Sequence, residues 1–158
     1  MSTEKRRKLQ RLTLALIAHD SKKEDMASLV RAHREELAEI DLVATKNTGE
    51  MIQSKTGLTV TLLQSGTHGG DQQVGALVSN GDVRAVIFLR DPLTAQPHEP
   101  DITALMHVCD VHDVPLATNL ATGEAVLPLM FEHPEALSGG HLAAQYLEDM
   151  AAVHKGRE

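Results

Sequence analysis

The stretch Ser65-Gly66-Thr67-His68-Gly69-Gly70-Asp71-Gln72-Gln73 decides the fold, because it joins a predicted buried strand to a predicted helix. The apolar run at residues 58–63 precedes it, and residues 74–78, which read as a helix packed on a sheet, follow it. Its glycines allow a tight turn and a close approach of the backbone to a ligand. Amides at such a turn, with a helix N-terminus behind them, favour an anion such as phosphate. Asp71 would repel that anion, which indicates chemistry rather than binding alone.

Four further apolar runs alternate with helical patterns along the chain. Together with residues 58–63, the predicted strands are residues 12–18, 42–44, 83–89 and 114–117. The first run is continuously apolar rather than alternating, as expected of a strand covered on both faces. This alternation of strands and helices predicts an α/β fold, a three-layer α/β/α, Rossmann-like domain with a five-stranded, mainly parallel sheet.

Helices are predicted between and after these strands. Their ranges are about 20–40, 50–55, 74–80, 100–113, 122–129 and 141–153. Asp20 or Ser21 is expected to cap the first helix, Gly57 to end the second and Pro100 to lie in the first turn of the fourth. Residues 1–10 are expected to form a disordered basic arm, and residues 11–158 a single domain.

Composition excludes several classes of protein. The 158 residues carry a net charge of −7 and include two Phe, one Tyr and no Trp, which argues against a nucleic-acid binder that stacks bases. The single Cys109 excludes an intramolecular disulfide and fits a reducing compartment, so a cytoplasmic protein is expected. No apolar run approaches the ~18 residues of a membrane span. No pair among the nine histidines has the spacing of a zinc site.

Polar residues follow every predicted strand, at the edge of the sheet where ligands bind in such folds. In chain order they are His19 and Asp20; Thr45, Asn47 and Thr48; Ser65, Gly66 and Asp71; Arg90, Asp91 and His98; Thr118 and Asn119. Structural alternatives remain open for several of them. Thr48 and Asp71 can serve only as helix-terminal residues, and Lys23 can be a solvated charge. Their convergence on one edge predicts a shared site.

Four segments together resemble the methylglyoxal synthase family. They are Ala18-His19-Asp20 with Lys23, the stretch from Ser65 to Gln73, the run from Arg90 to Asp101, and Pro115-Leu116-Ala117-Thr118-Asn119. The resemblance extends from about residue 12 to residue 119. It implies a lyase that converts dihydroxyacetone phosphate to methylglyoxal and inorganic phosphate, without a metal or an organic cofactor.

The resemblance also implies roles for individual residues. Asp71 matches the catalytic base that removes a proton from the hydroxymethyl carbon, and His98 matches the residue that polarises the carbonyl. Asp101, three residues further on, is expected to orient the His98 ring or fix its tautomer. The implied substrate and phosphate ligands are His19, Lys23, Thr45, Asn47, Thr48, Ser65 and Gly66, with Asp20 and Asp91 in support.

Two departures from the family pattern affect the expected phosphate site. The usual Thr-Gly-Thr-Thr-Gly reads Thr45-Lys46-Asn47-Thr48-Gly49, and the usual Ser-Gly-Pro reads Ser65-Gly66-Thr67. Neither change touches the predicted base. We therefore expect them to alter phosphate affinity more than the type of reaction.

The resemblance further implies a homo-oligomer, typically a hexamer, in which a C-terminal basic residue reaches a neighbour's site; Lys155 and Arg157 are the candidates. Inorganic phosphate is expected as product and inhibitor, with no nucleic-acid or membrane partner. The same fold serves as a regulatory domain in carbamoyl phosphate synthetases, so a non-catalytic module that binds phosphate or a metabolite is the alternative. The joint presence of Asp71, His98 and Asp101 favours the enzyme, because a sensor would not need all three.

Overall fold

The computed structural model describes residues 2–4, 12–137, 148 and 150–156. Within them lies one five-stranded sheet, in which every pairing is parallel and the strand order is β3-β2-β1-β4-β5. The strands are β1 Thr13–Ala18, β2 Asp41–Ala44, β3 Thr61–Leu62, β4 Ala85–Leu89 and β5 Leu116–Ala117. The predicted α/β class is confirmed, and the sheet is entirely rather than mainly parallel.

Helices cover both faces of this sheet. They are α1 Lys23–Ala32, α2 Arg34–Leu37, α3 Lys46–Thr56, α4 Gly70–Ser79, α5 Glu99–Val111 and α6 Leu120–Glu132. Short 3-10 turns lie at Asp20–Lys22, Gly66–His68 and Pro134–Leu137. No helix within the described residues is long and apolar enough to cross a membrane.

The side chains of the central strand β1 show why helices pack on both faces of the sheet and form three layers. Leu14 and Leu16 belong to the core formed with α1, α3 and α6. Ala15 and Ile17, which point to the other face, belong to the core formed with α4 and α5. Because side chains alternate along a strand, residues 14–18 of β1, which include no polar side chain, must be covered on both faces. The prediction for this segment is confirmed.

The first predicted helix, residues 20–40, is wrong as a single element. A 3-10 turn, α1 and α2 replace it, and His33 interrupts the helix with φ −117° and ψ 22°. The His33 Nε2 atom lies 2.7 Å from a carboxylate oxygen of Glu124 on α6. Neither Asp20 nor Ser21 caps a helix with its side chain, and Ser21 instead donates to Asp91 at 2.9 Å.

The segment at residues 45–49, predicted as a loop, is mostly helical. Helix α3 begins at Lys46 and ends before Gly57, whose φ of 72° confirms the predicted C-terminal glycine. Gly49 lies inside this helix because its missing side chain lets the helix approach the sheet. A Cβ there would lie 3.2 Å from the Cβ of Ala44 and would clash with Leu62.

The third strand differs from the prediction of a buried strand over residues 58–63. Only Thr61–Leu62 pair, and they do so with β2 alone, at the edge of the sheet. Leu62 is 39% exposed, whereas Leu58 and Val60 are buried before the strand begins. The apolar run therefore fills the core and supplies little of the sheet.

The later elements agree better with the sequence. Residues 90–98 form a loop, and Pro100 lies in the first turn of α5 as predicted. Helix α6 begins at Leu120 rather than residue 122, because Asn119 caps it through its side-chain oxygen, which accepts from the Thr122 amide at 3.0 Å. Most of the predicted arm and most of the predicted helix at 141–153 lie outside the described residues; residues 150–155 are helical.

Candidate active site

A cavity of about 220 Å³ lies at the carboxyl end of the sheet, beside β1. It contains nine of the twelve predicted site residues: His19, Asp20, Lys23, Thr45, Asn47, Ser65, Gly66, Asp71 and His98. Strand order reverses between β1 and β4, and the helices that follow these strands pack on opposite faces. Such a switch point is where parallel α/β sheets leave a crevice for a ligand.

Asp71 is a fully buried carboxyl group at the start of α4. Neither of its oxygens has a hydrogen-bond partner within the protein. Burial raises the pKa of Asp71 from 3.8 to about 6; the nearby His98 opposes this shift and Asp101 adds to it. Asp71 lies in the first turn of α4, where a carboxylate interacts favourably with the helix dipole, but its side chain makes no capping hydrogen bond.

His98 lies beside Asp71 in the cavity wall. It precedes α5, and its Nε2 atom lies 3.4 Å from the Asp71 Oδ2. The other ring nitrogen, Nδ1, is buried without a partner. The Asp101 side chain makes no hydrogen bond to this ring, contrary to expectation, and instead accepts from the Gln72 side chain at 2.7 Å. Asp101 instead acts on Asp71 through its charge.

The backbone of the loop that follows β4 holds the His19 ring. Its Nδ1 accepts from the Asp91 amide at 2.8 Å, so the neutral ring carries its proton on Nε2. Burial lowers the pKa of His19; the charges of His98 and Arg90 add to this shift, and Glu99 and Asp91 oppose it. Its buried Nε2 has no partner in the protein. A neutral donor is therefore available to a ligand.

Asp91 supports this arrangement from outside the cavity. Its carboxylate accepts from the Ser21 hydroxyl and from the Leu93 amide, each at 2.9 Å. These bonds, with that of the Thr94 hydroxyl, lower the pKa of Asp91; the Leu93 amide has the largest effect. The carboxylate fixes the loop, and the backbone amide fixes His19, which fits the predicted supporting role.

Lys23 and Thr48 form a second group of fixed polar atoms. The Lys23 ammonium donates to the Ala18 carbonyl and, at 2.9 Å, to the Thr48 hydroxyl. Thr48 also accepts from the Ala18 amide at 3.1 Å and from Thr45 at 3.3 Å. Burial lowers the pKa of Lys23, and Asp20 opposes this shift. Thr48 is buried behind the cavity wall and neither caps its helix nor lines the cavity.

Two glycines shape the turn that carries Asp71. A Cβ at Gly66 would lie 3.1 Å from the His98 Nε2 and 3.3 Å from the Asp71 Oδ1. A Cβ at Gly70 would lie 2.8 Å from the Ser65 carbonyl oxygen and would clash with that of Gln64. Gly70 therefore cannot be replaced without moving the backbone, and a side chain at Gly66 would press against the acid and the imidazole.

Several residues near the site gave no signal in the sequence. Gln96 and Thr67 line the cavity, and His68 bonds the Ser65 hydroxyl at 2.7 Å. Gln72 and Gln73 lie in the quoted stretch, but their partners, Asp101 and the Gln64 amide, depend on tertiary packing. The spacing of residues in the sequence does not show such pairs.

The strand-end residues do not all converge. Arg90, Thr118 and Asn119 line a separate cleft of about 1070 Å³ beside the loop at residues 90–95, and not the cavity around Asp71. Within the described residues there is no cluster of three His, Cys, Asp or Glu side chains suited to a metal ion.

Comparison with known proteins agrees with this geometry. A family model described as the MGS-like domain matches residues 25–118. Methylglyoxal synthase of Carboxydothermus hydrogenoformans is 58% identical over 116 residues, which cover 73% of this chain and 96% of that protein. The corresponding protein of Moorella thermoacetica is 57% identical over 123 residues, covering 78% and 96%.

A solved structure shows the same likeness. The crystal structure of methylglyoxal synthase from Elizabethkingia anophelis matches with a TM-score of 0.71 and 40% sequence identity, over 77% of this chain and 81% of that one. The family model covers the cavity residues from Thr45 to His98. The chain therefore belongs to the methylglyoxal synthase family, and it is a lyase.

Proposed function

We propose that Asp71 and His98 carry the methylglyoxal synthase reaction in this chain, the conversion of dihydroxyacetone phosphate to methylglyoxal and inorganic phosphate. One observation supports this most strongly. A fully buried carboxyl group with two unpartnered oxygens lies 3.4 Å from an imidazole, in a cavity of about 220 Å³. That size suits a triose phosphate, and the pair suits proton transfer.

In the first step, Asp71 removes a proton from the hydroxymethyl carbon. A carboxylate with an ordinary pKa is a weak base for such a proton, so the rise of the Asp71 pKa to about 6 strengthens it. The group is still largely ionised at neutral pH. The electrons of the broken C–H bond move toward the carbonyl oxygen and give an enediolate.

Two imidazoles are placed to stabilise the charge on the enediolate. His98 lies on the same side as the base, and the neutral His19 presents its Nε2–H. Donors that are fixed before the reaction stabilise developing charge without reorganisation. The ring centroids are 5.9 Å apart, so both can reach a small substrate.

In the second step, the enediolate collapses and the bond between carbon and the phosphate ester oxygen breaks. Phosphate leaves with the electron pair, and the enol that remains tautomerises to methylglyoxal. Lys23, Ser65 and Asn47 line the cavity and can donate to the departing anion. Asp71 returns its proton to the departing phosphate, so the protein ends unchanged and the products are methylglyoxal and hydrogen phosphate.

A turnover assay tests the proposal. The purified chain, given dihydroxyacetone phosphate, should release inorganic phosphate and methylglyoxal in equal amounts. His98→Leu should lower kcat by about 10²–10³, as expected for the loss of an oxyanion donor. The exposed His112 offers a matched control, and His112→Leu should leave the rate unchanged. Binding of the substrate without products would favour the regulatory alternative.

The assembly, location and regulation follow the same reasoning. We propose that residues 11–158 act as one domain in a cytoplasmic homohexamer, and that inorganic phosphate inhibits it as a product. Lys155 is exposed, whereas Arg157 lies outside the described residues. Light scattering would report the oligomer, and a mass other than six chains would contradict it. Titration with phosphate during turnover would report the inhibition.

A further inference from the structure

The exposed His68 touches a hydroxyl group that lines the cavity. Its Nδ1 lies 2.7 Å from the Ser65 Oγ and 3.1 Å from the Thr67 Oγ1. The backbone enforces this contact, because Ser65 precedes and His68 ends the 3-10 turn Gly66–His68. Side chains three residues apart eclipse in such a turn. The His68 amide also donates to the Ser65 carbonyl at 2.9 Å, which fixes the spacing.

We propose that His68 is a positioning residue that sets the direction of the Ser65 hydroxyl, and so decides whether Ser65 can donate to the phosphate group of the substrate. This rests on the proposed function, which places that group beside Ser65. His68 is exposed and does not itself line the cavity, so any effect on the substrate must pass through Ser65.

The number of protons shared by the His68 ring and the Ser65 hydroxyl explains how His68 would control the direction of that hydroxyl. The Ser65 hydroxyl has one proton to donate. When the His68 Nδ1 is unprotonated, it accepts that proton, and the Ser65 oxygen turns only lone pairs toward an anion. When Nδ1 carries a proton, His68 donates to Ser65, and the hydroxyl proton is free for a phosphate oxygen. A ring protonated on both nitrogens is always in this second state.

Phosphate binding should therefore strengthen on acidification in a way that depends on His68. Other groups around the cavity also respond to pH or carry charge: His19, Asp20, Lys23, Asp71 and His98. Phosphate itself titrates in the same range. All of these are shared with a variant changed only at position 68, so the comparison of two proteins isolates the contribution of His68.

The test measures the dissociation constant of inorganic phosphate by calorimetry at pH 8 and pH 5.5, where imidazoles ordinarily lose and gain a proton. Because His68→Leu leaves the Ser65 hydroxyl free to donate at both pH values, it should bind phosphate about fivefold more tightly than wild type at pH 8, the worth of one hydrogen bond, and within about twofold of wild type at pH 5.5. His68→Asn places an amide donor near the Nδ1 position and does not titrate. Its affinity relative to His68→Leu should be equal at both pH values.

A second pair of variants separates positioning from a direct effect of charge. In a Ser65→Ala background, His68→Leu should change phosphate affinity by less than about twofold at either pH. An undiminished effect in that background, or an unchanged pH dependence in His68→Leu, would overturn the proposal. Thermal melts confirm that each variant folds.

Turnover distinguishes this proposal from the proposed function. Loss of the Ser65 contact should raise KM more than it lowers kcat, because Ser65 holds the phosphate group in both the substrate complex and the transition state. If wild type turns over dihydroxyacetone phosphate but His68→Leu binds phosphate as wild type does at both pH values, only the role of His68 fails. If wild type binds phosphate without turnover, only the proposed function fails.

Discussion

The cavity has two sides that differ in how their polar atoms are satisfied. The reaction side consists of Asp71, His98 and His19, and the cradle side of Lys23, Thr45, Thr48 and Ser65. Five buried side-chain polar atoms among the described residues lack a partner in the protein, and four of them belong to the reaction side. The fifth is the Arg90 Nε. On the cradle side, the ammonium and hydroxyl groups bond one another, the backbone or the His68 ring.

This contrast shows where the fold gives up stability for function. Buried polar groups normally find partners, and each one left alone costs free energy. Groups left unpaired on the reaction side remain free to exchange protons with a substrate. Under the proposed function the cradle side binds the phosphate group and does not react, so its groups can be fixed in advance. Substitutions on the two sides should therefore have opposite effects on stability.

The largest expected effect is on turnover. Asp71→Asn should lower kcat by at least about 10²–10⁴, the usual loss when a proton-transfer group is removed. It should retain binding of inorganic phosphate, which the cradle side provides. Steady-state kinetics and calorimetry measure the two quantities. Asp82→Asn, at an exposed carboxylate, is the matched control. Activity of Asp71→Asn within about tenfold of wild type would remove Asp71 from the mechanism.

The same variant should be more stable than wild type above pH 6. The Asp71 pKa is about 6 in the folded protein, against an ordinary value of 3.8 expected in the unfolded chain. Above pH 6 the carboxyl group is ionised in both states, and its burial destabilises the fold. As pH falls from 6 to 4, the folded protein takes up a proton first, and this penalty disappears.

Asp71→Asn should therefore raise the free energy of unfolding by up to about 3 kcal/mol at pH 8 and by little at pH 4. Denaturant unfolding at both pH values measures the difference. A variant less stable than wild type at pH 8 would show that Asp71 is not under strain from burial.

A substitution on the cradle side should act in the opposite direction. Thr48→Ala removes the oxygen that accepts from the Ala18 amide and the Lys23 ammonium. Leaving those buried donors unpaired should lower the free energy of unfolding by about 1–3 kcal/mol. At about 2–4 °C per kcal/mol, a thermal melt detects this. Thr48→Ser keeps the oxygen and should lose much less. Equal losses in both variants would point to packing instead.

The smallest expected effect concerns the loop that links the two sides. Ser21→Ala removes a hydroxyl that bonds Asp91 at the surface, while the Asp91 amide continues to hold His19. The loss should be within about 1 kcal/mol in stability, measured by denaturant unfolding. A larger loss would mean that the Asp91 carboxylate, and not its amide, fixes the histidine.

The sequence predicted the fold and the membership of the cavity better than it predicted element boundaries. Residues 14–18 of β1 are continuously apolar, so the sequence predicts only a strand that is covered on both faces. The start of α3 at Lys46 was missed, since Gly49 reads as a loop residue until its packing against Ala44 is known. Local propensity does not report such contacts between a helix and the sheet.

Side-chain partners were predicted least well. The spacing of Asp101 from His98 favours an interaction between them, yet the structure pairs Asp101 with Gln72 across the α4–α5 interface. Thr48 was predicted as a phosphate ligand, but its hydroxyl bonds Lys23 and the Ala18 amide behind the cavity wall. Side-chain partners depend on how the helices pack against each other, and the spacing of residues along the sequence does not determine this packing.

The central claim is that the Asp71 carboxylate, weakened as an acid by burial, is the base. The pH dependence of kcat/KM for dihydroxyacetone phosphate tests it most directly. Wild type should lose about tenfold per pH unit below about pH 6, where Asp71 gains its proton. Asp71→Asn should be far slower and lack that acidic limb. An acidic limb of the same position and slope in Asp71→Asn would contradict the claim.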